Sequence, residues 1–136
     1  MNAWITLADF AQVHAGKLYV VGGAISMLGP GPISMGVAVQ INVDWADRSK
    51  RKHLRVSLLN ADDKPVSLPT PLGEVPLEVS ADYEVVPAPG GPPAMDLPFA
   101  FAFHLAGVPL PPGSYKWFLH LDGAAAPAAS ASFAVR

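Results

Sequence analysis

Apolar and polar residues alternate with a period of two along most of the chain, which is the pattern of β-strands that bury one face. Between positions 35 and 45, every odd-numbered residue is apolar and the even-numbered residues are small or polar. Between 75 and 85 the odd-numbered residues are again apolar, and the opposite set is rich in Glu and Asp. Such one-sided alternation is typical of antiparallel sheets. Pro76 cannot donate a backbone hydrogen bond, so we expect 75–85 to lie at the edge of a sheet.

Six further segments are predicted to be strands, so that eight strands fill the chain and no helix is expected. They are 3–11, 17–27, 53–60, 99–105, 115–121 and 131–135. The first two form an N-terminal hairpin, and Gly22 and Gly23 in its second arm predict a bulge or a bend. Short strands separated by regular turns indicate a β-sandwich or, as the alternative, a small β-barrel.

A local motif favours the sandwich. A Leu-x-x-Gly-x-Tyr sequence at 110–115 places Tyr115 at the start of the penultimate strand, directly after a glycine turn. This is the arrangement of a tyrosine corner, in which the hydroxyl bonds to the backbone a few residues upstream. The predicted fold class is therefore all-β: an antiparallel β-sandwich, Ig-like, with about eight strands including the N-terminal hairpin.

Composition and charge limit the classes of protein that remain. The chain has 136 residues, 51% hydrophobic and 15% charged, which is enough for a single domain, 1–136, with its own core. The absence of cysteine excludes disulfides, zinc–thiolate sites, iron–sulfur clusters and a cysteine nucleophile. The net charge of -2 argues against a nucleic-acid binder and a membrane-surface protein. No apolar stretch reaches the ~18 residues that span a bilayer, and no secretory signal is apparent, so we expect a cytoplasmic location.

Several short segments carry a resemblance to a known family. They are 7–13 (LADFAQV), 16–23 (GKLYVVGG), 58–62 (LLNAD), 110–115 (LPPGSY) and 133–136 (FAVR). On these segments, which extend over most of the chain, the sequence resembles a family of short, uncharacterised bacterial proteins of single-domain size. The pattern of that family usually has a glycine where this chain has Asp63. The resemblance supports the predicted fold and brings no activity or catalytic residue to this chain.

The chemistry-bearing residues form no recognised catalytic signature. The sequence contains no G-x-S-x-G elbow, no P-loop, no H-E-x-x-H and no G-x-G-x-x-G after a strand. The histidines lack the close spacing of metal ligands, and we expect His104 and His120 on the outer faces of the sheets. The sequence therefore predicts a non-enzymatic binding or scaffolding module that acts through protein–protein interaction, without a cofactor.

Aspartates in the predicted loops support an alternative function. If every strand reverses the chain, the loops at 12–17, 44–53, 86–96 and 122–128 share one end of the sandwich. That end would hold four candidate ligands, Asp44, Asp47, Asp96 and Asp122, together with His14 and His53. Converging carboxylates suit calcium, so the alternative is a metal-dependent, calcium-type domain or a hydrolase that uses these loops. The simpler interpretation is that Asp caps backbone N–H groups in turns.

The distribution of charge and of outward apolar residues predicts a contact surface. Five of the nine basic residues lie close together: Arg48, Lys50, Arg51, Lys52 and Arg55. Acidic residues line one face of 74–84, so the two segments are expected to pair within one chain or between two copies. Phe118 and Leu59 are out of phase with the inward-facing residues of their strands. Together these features predict a two-fold homodimer, and the alternative is a monomer in which the N-terminal hairpin covers the apolar residues.

Overall fold

The computed structural model describes residues 2–91 and 95–136 and shows eleven strands and a short 3₁₀ turn at Trp45–Asp47. The strands are β1 (Asn2–His14), β2 (Lys17–Gly23), β3 (Met27–Leu28), β4 (Ile33–Val43), β5 (Lys52–Asn60), β6 (Ser67–Thr70), β7 (Gly73–Pro76), β8 (Glu78–Tyr83), β9 (Leu97–Val108), β10 (Gly113–Leu121) and β11 (Ala129–Val135). Across these two described ranges, no helix is long and apolar enough to cross a membrane.

Two sheets form the body of the protein. The first has the strand order β2-β1-β4-β9 and is antiparallel. The second has the order β3-β11-β10-β5-β8 and is antiparallel apart from β3, which runs parallel to β11. Strands β6 and β7 make a separate two-stranded hairpin. The predicted all-β, antiparallel sandwich is therefore confirmed.

The structure has eleven strands in its described residues and not the predicted eight, because two predicted strands are divided and β6 (Ser67–Thr70) was not predicted. The predicted strand 17–27 bends where the two glycines indicated, since β2 ends at Gly23 and the chain turns at Ala24, which has a φ of +63°. The predicted strand 75–85 divides after Pro76. Its first part pairs with β6, and its second part is β8, which lies at the edge of the second sheet as expected.

The core lies between the two sheets and consists of the alternating apolar residues that the pattern predicted. Its largest fully buried side chains are Trp117, Ile33, Met35, Ile41, Leu54, Leu58, Leu119, Val37, Val39, Val43 and Val56. Aromatic rings join the sheets: Phe103 meets Trp117 edge-on with centroids 5.4 Å apart, and Tyr83 stacks on Phe99 at 4.5 Å. Each buried Leu, Ile or Val contributes roughly 1.5–3 kcal/mol, so this layer is the main source of stability.

The tyrosine corner is present. The hydroxyl of Tyr115 donates a hydrogen bond to the carbonyl oxygen of Pro111 at 2.6 Å, and its ring stacks on Phe133 with centroids 5.5 Å apart. This contact ties the loop before β10 to the start of that strand.

The turn after β5 has a backbone conformation that favours glycine at one position. Asp63 has a φ of +58°, in the left-handed region. Glycine adopts that region most easily, and Asp is among the few other residues that tolerate it. The Asp63 N–H closes the turn by donating to the carbonyl oxygen of Asn60 at 3.0 Å.

The position of the first hairpin turn corrects the predicted grouping of loops. Strand β1 pairs with β4 from Asn2 opposite Asn42 to Ala8 opposite Gly36, so His14 lies beyond the start of β4. His14 is therefore at the opposite end of the sandwich from the loops after β4 and β10, and the expectation that it joins their aspartates is wrong. The error arises because the chain reverses at Ala24 within a segment that was counted as one strand. Residues 92–94 of the predicted loop 86–96 lie outside the described residues.

Candidate functional site

The N-terminal hairpin, which we define as β1, β2 and the turn between them, crosses the outer face of the first sheet. Strand β1 pairs with β4 as far as Ala8, and the backbone at Ala11 then passes over Gly36. There the Ala11 N–H donates a hydrogen bond to Nε2 of His104 on β9, at 3.2 Å. The Phe10 ring lies beside the same imidazole, with centroids 5.2 Å apart. His104 lies on the outer face as predicted, and there it attaches the hairpin to the far strand of the sheet.

This crossing depends on small residues. Ala8, Gly36 and Ala38 are buried although they point away from the core between the sheets, and Ala11 is also buried. A Cβ atom at Gly36 would lie 2.7 Å from the backbone nitrogen of Ala11 and 3.2 Å from its Cβ. Glycine is therefore required at this position because two backbones approach each other closely.

The solvent side of the hairpin is apolar. Among the described residues, eleven large hydrophobic side chains are exposed, and six of them belong to the hairpin: Trp4, Phe10, Val13, Tyr19, Val20 and Val21. Their exposed fractions range from 37% to 61%. The register places Phe10 opposite Val21, so these two form a cross-strand apolar pair. Soluble monomers rarely expose large contiguous apolar patches, which makes the hairpin the best candidate for contact with another molecule.

The basic segment lies beside β8, and the opposite charges of the two pair within the chain. The Arg51 guanidinium is 2.8 Å from one oxygen of Asp82, and Nδ1 of His53 is 2.8 Å from the other. Arg55 is 3.5 Å from Glu78. Hydrogen bonds from His53, and then from Arg51, hold the pKa of Asp82 below its ordinary value of 3.8. The opposite charges on which the predicted dimer was based therefore pair with each other within one copy of the chain.

Two other basic residues pack against the 3₁₀ turn that follows β4. The guanidinium of Arg48 donates to the carbonyl oxygen of Trp45 at 2.9 Å and lies 4.5 Å above the centroid of its ring. The ammonium of Lys50 is 3.5 Å from Asp47. Both contacts fix the loop between the sheets at the end where the predicted metal ligands lie.

Two of the four aspartates proposed as metal ligands come together, and a lysine lies between them. The ammonium of Lys52 is 3.7 Å from Asp47 and 3.5 Å from Asp122. Asp122 also accepts a hydrogen bond from the backbone N–H of His53 at 2.9 Å. Within residues 2–91 and 95–136, no three His, Asp or Glu side chains are grouped so that they could hold a metal ion. Lys52 supplies the positive charge that a bound cation would otherwise supply.

The other two aspartates have different positions at that end. Asp44 precedes the 3₁₀ turn and accepts the Asp47 N–H at its carbonyl oxygen, 2.9 Å away. Asp96 is exposed and directly precedes β9. Asp44 therefore stabilises the 3₁₀ turn through its backbone carbonyl. Asp122 accepts a backbone N–H at the start of β5 through its carboxylate, as the simpler interpretation of the loop aspartates as caps expects.

Phe118 lies on the outer face of β10, as its phase predicted, but it is partly buried. The ammonium of Lys116 is 5.6 Å from the centroid of its ring, and the imidazole of His120 is 6.3 Å away. Its neighbours across the strands are Ser57 and Ser130. Leu59, opposite Lys116, lies on the same outer face, so Phe118 and Leu59 are two apolar residues on an otherwise mainly polar face, in contrast to the continuous apolar hairpin.

The hairpin surface, with His104 and Gly36 beneath it, was not among the predicted site residues. The sequence does contain a signal for it. Between 18 and 21 four apolar residues follow one another, so both faces of β2 are apolar and one core cannot bury both. A glycine in the middle of the apolar strand β4 is the second signal, because it often marks a close backbone approach.

A comparison with known proteins assigns this sequence to a family. No curated protein matches the sequence. The model of a family of unknown function, DUF6941, matches residues 3–136, which include every strand described here from β2 to β11 and nearly all of β1. This agrees with the resemblance to uncharacterised single-domain proteins. The chain belongs to the DUF6941 family.

Proposed function

We propose that the protein is a non-enzymatic binding module of the cytoplasm and that the N-terminal hairpin is the surface through which it contacts another protein. The observation that carries this proposal is the concentration of exposed apolar side chains on the hairpin, including Phe10, Tyr19 and Val21. Aromatic residues are enriched at protein interfaces because they bury large areas and lose little conformational entropy.

The attachment of the hairpin supports this role. The hydrogen bond from Ala11 to His104 and the close packing on Gly36 hold the base of the hairpin against the sheet. A surface that is fixed before binding loses less conformational entropy when a partner docks. The exposed faces of β2 are therefore presented on a rigid support.

A capture experiment with matched variants tests the proposal. Tagged wild-type protein and the double variant Tyr19→Ser/Val21→Ser are compared in a native cell extract, and the co-purifying proteins are identified by mass spectrometry. The control is Val75→Ser/Val86→Ser, which removes two exposed valines elsewhere. We expect the hairpin variant to lose a specific protein that the control retains. Equal capture by all three proteins contradicts the proposal, and turnover in a hydrolase substrate panel contradicts its non-enzymatic part.

The metal-dependent alternative has weaker support because Lys52 already lies between Asp47 and Asp122. A thermal melt with and without calcium distinguishes the two functions. An ion that binds the native state alone raises stability by about 2.7 kcal/mol at a hundredfold excess over its Kd. We expect no shift in Tm for the wild-type protein, and a calcium-dependent rise would favour the alternative.

A further inference from the structure

Strand β2 has a free edge that carries none of the usual protection. It lies at the end of the first sheet, and six of its seven residues are exposed. Edge strands are commonly protected by charged residues or proline, and β2 contains no proline and a single charge, Lys17 at its start. The edge strand of the other sheet, β8, has its charged residues Glu78 and Asp82 on its outer face. The backbone N–H and C=O groups along β2 are therefore open to another strand.

We propose that a second copy of this chain binds this edge, so that two β2 strands pair antiparallel about a two-fold axis at Val20. The two hairpins then form one four-stranded sheet with the strand order β1-β2-β2-β1. This inference rests on the proposed function, because it identifies the partner of the same hairpin. A two-fold axis through one strand brings the same strand against itself, as a closed dimer requires.

The sequence of β2 suits this register. With Val20 opposite itself, Tyr19 faces Val21 of the second copy, and Val21 already faces Phe10 across the hairpin. One face of the joined sheet thus carries a continuous ladder of aromatic and β-branched side chains, a combination that stabilises antiparallel pairs.

The register brings no like charges together. Lys17, the one charged residue of β2, lies opposite Gly23 of the second copy. The carboxyl carbon of Asp9 lies 2.7 Å from the place of the absent Cβ of Gly22, so this carboxylate lies on the other face of the edge.

The available area predicts a weak dimer. An aromatic side chain buries roughly 150–250 Å² in full, so the half-exposed Phe10, Tyr19, Val20 and Val21 offer on the order of 300–400 Å² per copy. The two copies together would bury about 600–800 Å² of side-chain surface, which is the size of a small, weak interface. The dimer should accordingly dissociate on dilution.

The first test is the molar mass by sedimentation or by light scattering after gel filtration, from low to several hundred micromolar protein. For the wild-type chain we expect the mass to rise from 14.2 kDa towards twice that value. Val20→Lys places two like charges against each other at the axis and should remain monomeric throughout. Val75→Lys, at another exposed strand position, should behave like the wild type. Near-ultraviolet circular dichroism checks that both variants are folded.

The second test locates the axis covalently. The chain contains no cysteine, so Val20→Cys provides a single thiol at the proposed axis. Directly opposed residues of antiparallel strands have Cα atoms about 4.5–5.5 Å apart, within the range of a disulfide. Mild oxidation should give a covalent dimer of Val20→Cys and little of Val75→Cys.

The outcomes separate this inference from the proposed function. A wild-type mass of 14.2 kDa at every concentration overturns the second copy as occupant, and so does a dimer that persists in Val20→Lys. In either case the proposed function is retained if the wild-type protein captures another protein that Tyr19→Ser/Val21→Ser does not capture. If the dimer forms as described and no other protein depends on the hairpin, the second copy is its sole partner.

Discussion

The N-terminal hairpin and strand β8 both border a sheet, but only one of the two edges is protected by charge. On β8, Glu78 and Asp82 point outward and pair with Arg55 and Arg51. On β2, the exposed residues are mainly apolar or glycine. Charged side chains on an edge strand oppose its pairing with a second strand, whereas an apolar edge favours such pairing. The comparison directs the search for a contact surface to the edge without charged residues, because the charges of the basic cluster are already paired with β8.

The two edges also differ in how they are attached. The hairpin is held by close backbone packing at Gly36 and by the hydrogen bond from Ala11 to His104. The edge at β8 is flanked by exposed ion pairs, which water screens and which cost side-chain freedom. Substitutions that disturb the hairpin attachment should therefore have larger effects than those that remove a charge from β8.

The largest effect is expected for Gly36→Ala. The added Cβ would lie 2.7 Å from the Ala11 nitrogen, so either the hairpin or β4 must move. Overpacking of this kind costs about 1–3 kcal/mol, which urea unfolding measures. The control is Gly23→Ala, whose Cβ would make ordinary contacts of 3.5 Å to Thr6 and 3.6 Å to Val20. Equal losses in the two variants would contradict the importance of the close approach.

His104→Ala should have the next largest effect. The variant removes the acceptor of the buried Ala11 N–H, and an unsatisfied buried donor costs about 1–3 kcal/mol. Hydrogen exchange at the Ala11 amide should become faster. His104→Gln keeps an acceptor and should recover part of the stability and of the protection. Unchanged exchange at Ala11 in His104→Ala would show that the hairpin is held by other contacts.

Tyr83 in β8 provides a test at high pH. Its buried hydroxyl finds no hydrogen-bond partner among the described residues, and burial, followed by the nearby Asp122 and Asp47, raises its pKa to about 12. A raised pKa in the folded state gives stability that is present below the unfolded pKa of 10.0 and is lost as the pH rises towards 12. Tyr83→Phe should therefore leave stability at pH 7 nearly unchanged and reduce its loss between pH 10 and 12.

The matched control for that experiment is Tyr115→Phe. Its hydroxyl bonds to Pro111, so the variant should lose about 1 kcal/mol already at pH 7. Urea unfolding at pH 7 separates the partnered hydroxyl from the unpartnered one. At pH 11 both variants should lose less stability than the wild type, because burial also raises the pKa of Tyr115. A clear loss in Tyr83→Phe at pH 7 would mean that its hydroxyl has a partner in solution.

The smallest effect is expected for Asp82→Asn. The lowered pKa of Asp82 gives stability that is present above 3.8 and is lost as the pH falls through the lower folded value. The variant should have a slightly lower Tm than the wild type at pH 7, and the loss should be smaller than in His104→Ala. The difference in Tm between Asp82→Asn and the wild type should vanish in strong acid or in high salt. Glu74→Gln, on the exposed β7, is the control. A loss as large as that of His104→Ala would remove the distinction between the two edges.

Much of the fold could be predicted because alternation is a local property. The inward positions of β4, β5 and β10 follow from period two, and the hydroxyl contact of Tyr115 follows from its place after a glycine turn. The pairing of Arg51 and Arg55 with β8 was also among the expected outcomes, since strands that carry opposite charges pair favourably.

The candidate site was harder to predict because it depends on distances between parts that are far apart in the chain. Ala11 and His104 are separated by 93 positions, and no periodicity shows that one bonds to the other. The place of Lys52 between Asp47 and Asp122 depends on how the segment 44–52 meets the loop after β10, and the aspartates alone are equally compatible with a cation.

The class of structure follows from the sequence alone: an all-β chain with alternating strands, turns at glycine and proline, and a tyrosine corner. Which surfaces remain exposed depends on how the strands pack. A single reversal at Ala24 moves His14 to the other end of the sandwich, and the absence of a side chain at Gly36 lets the hairpin cross the sheet. Periodicity specifies which side of a strand is apolar, but only the packing of the strands specifies whether that side meets the core, another strand or water.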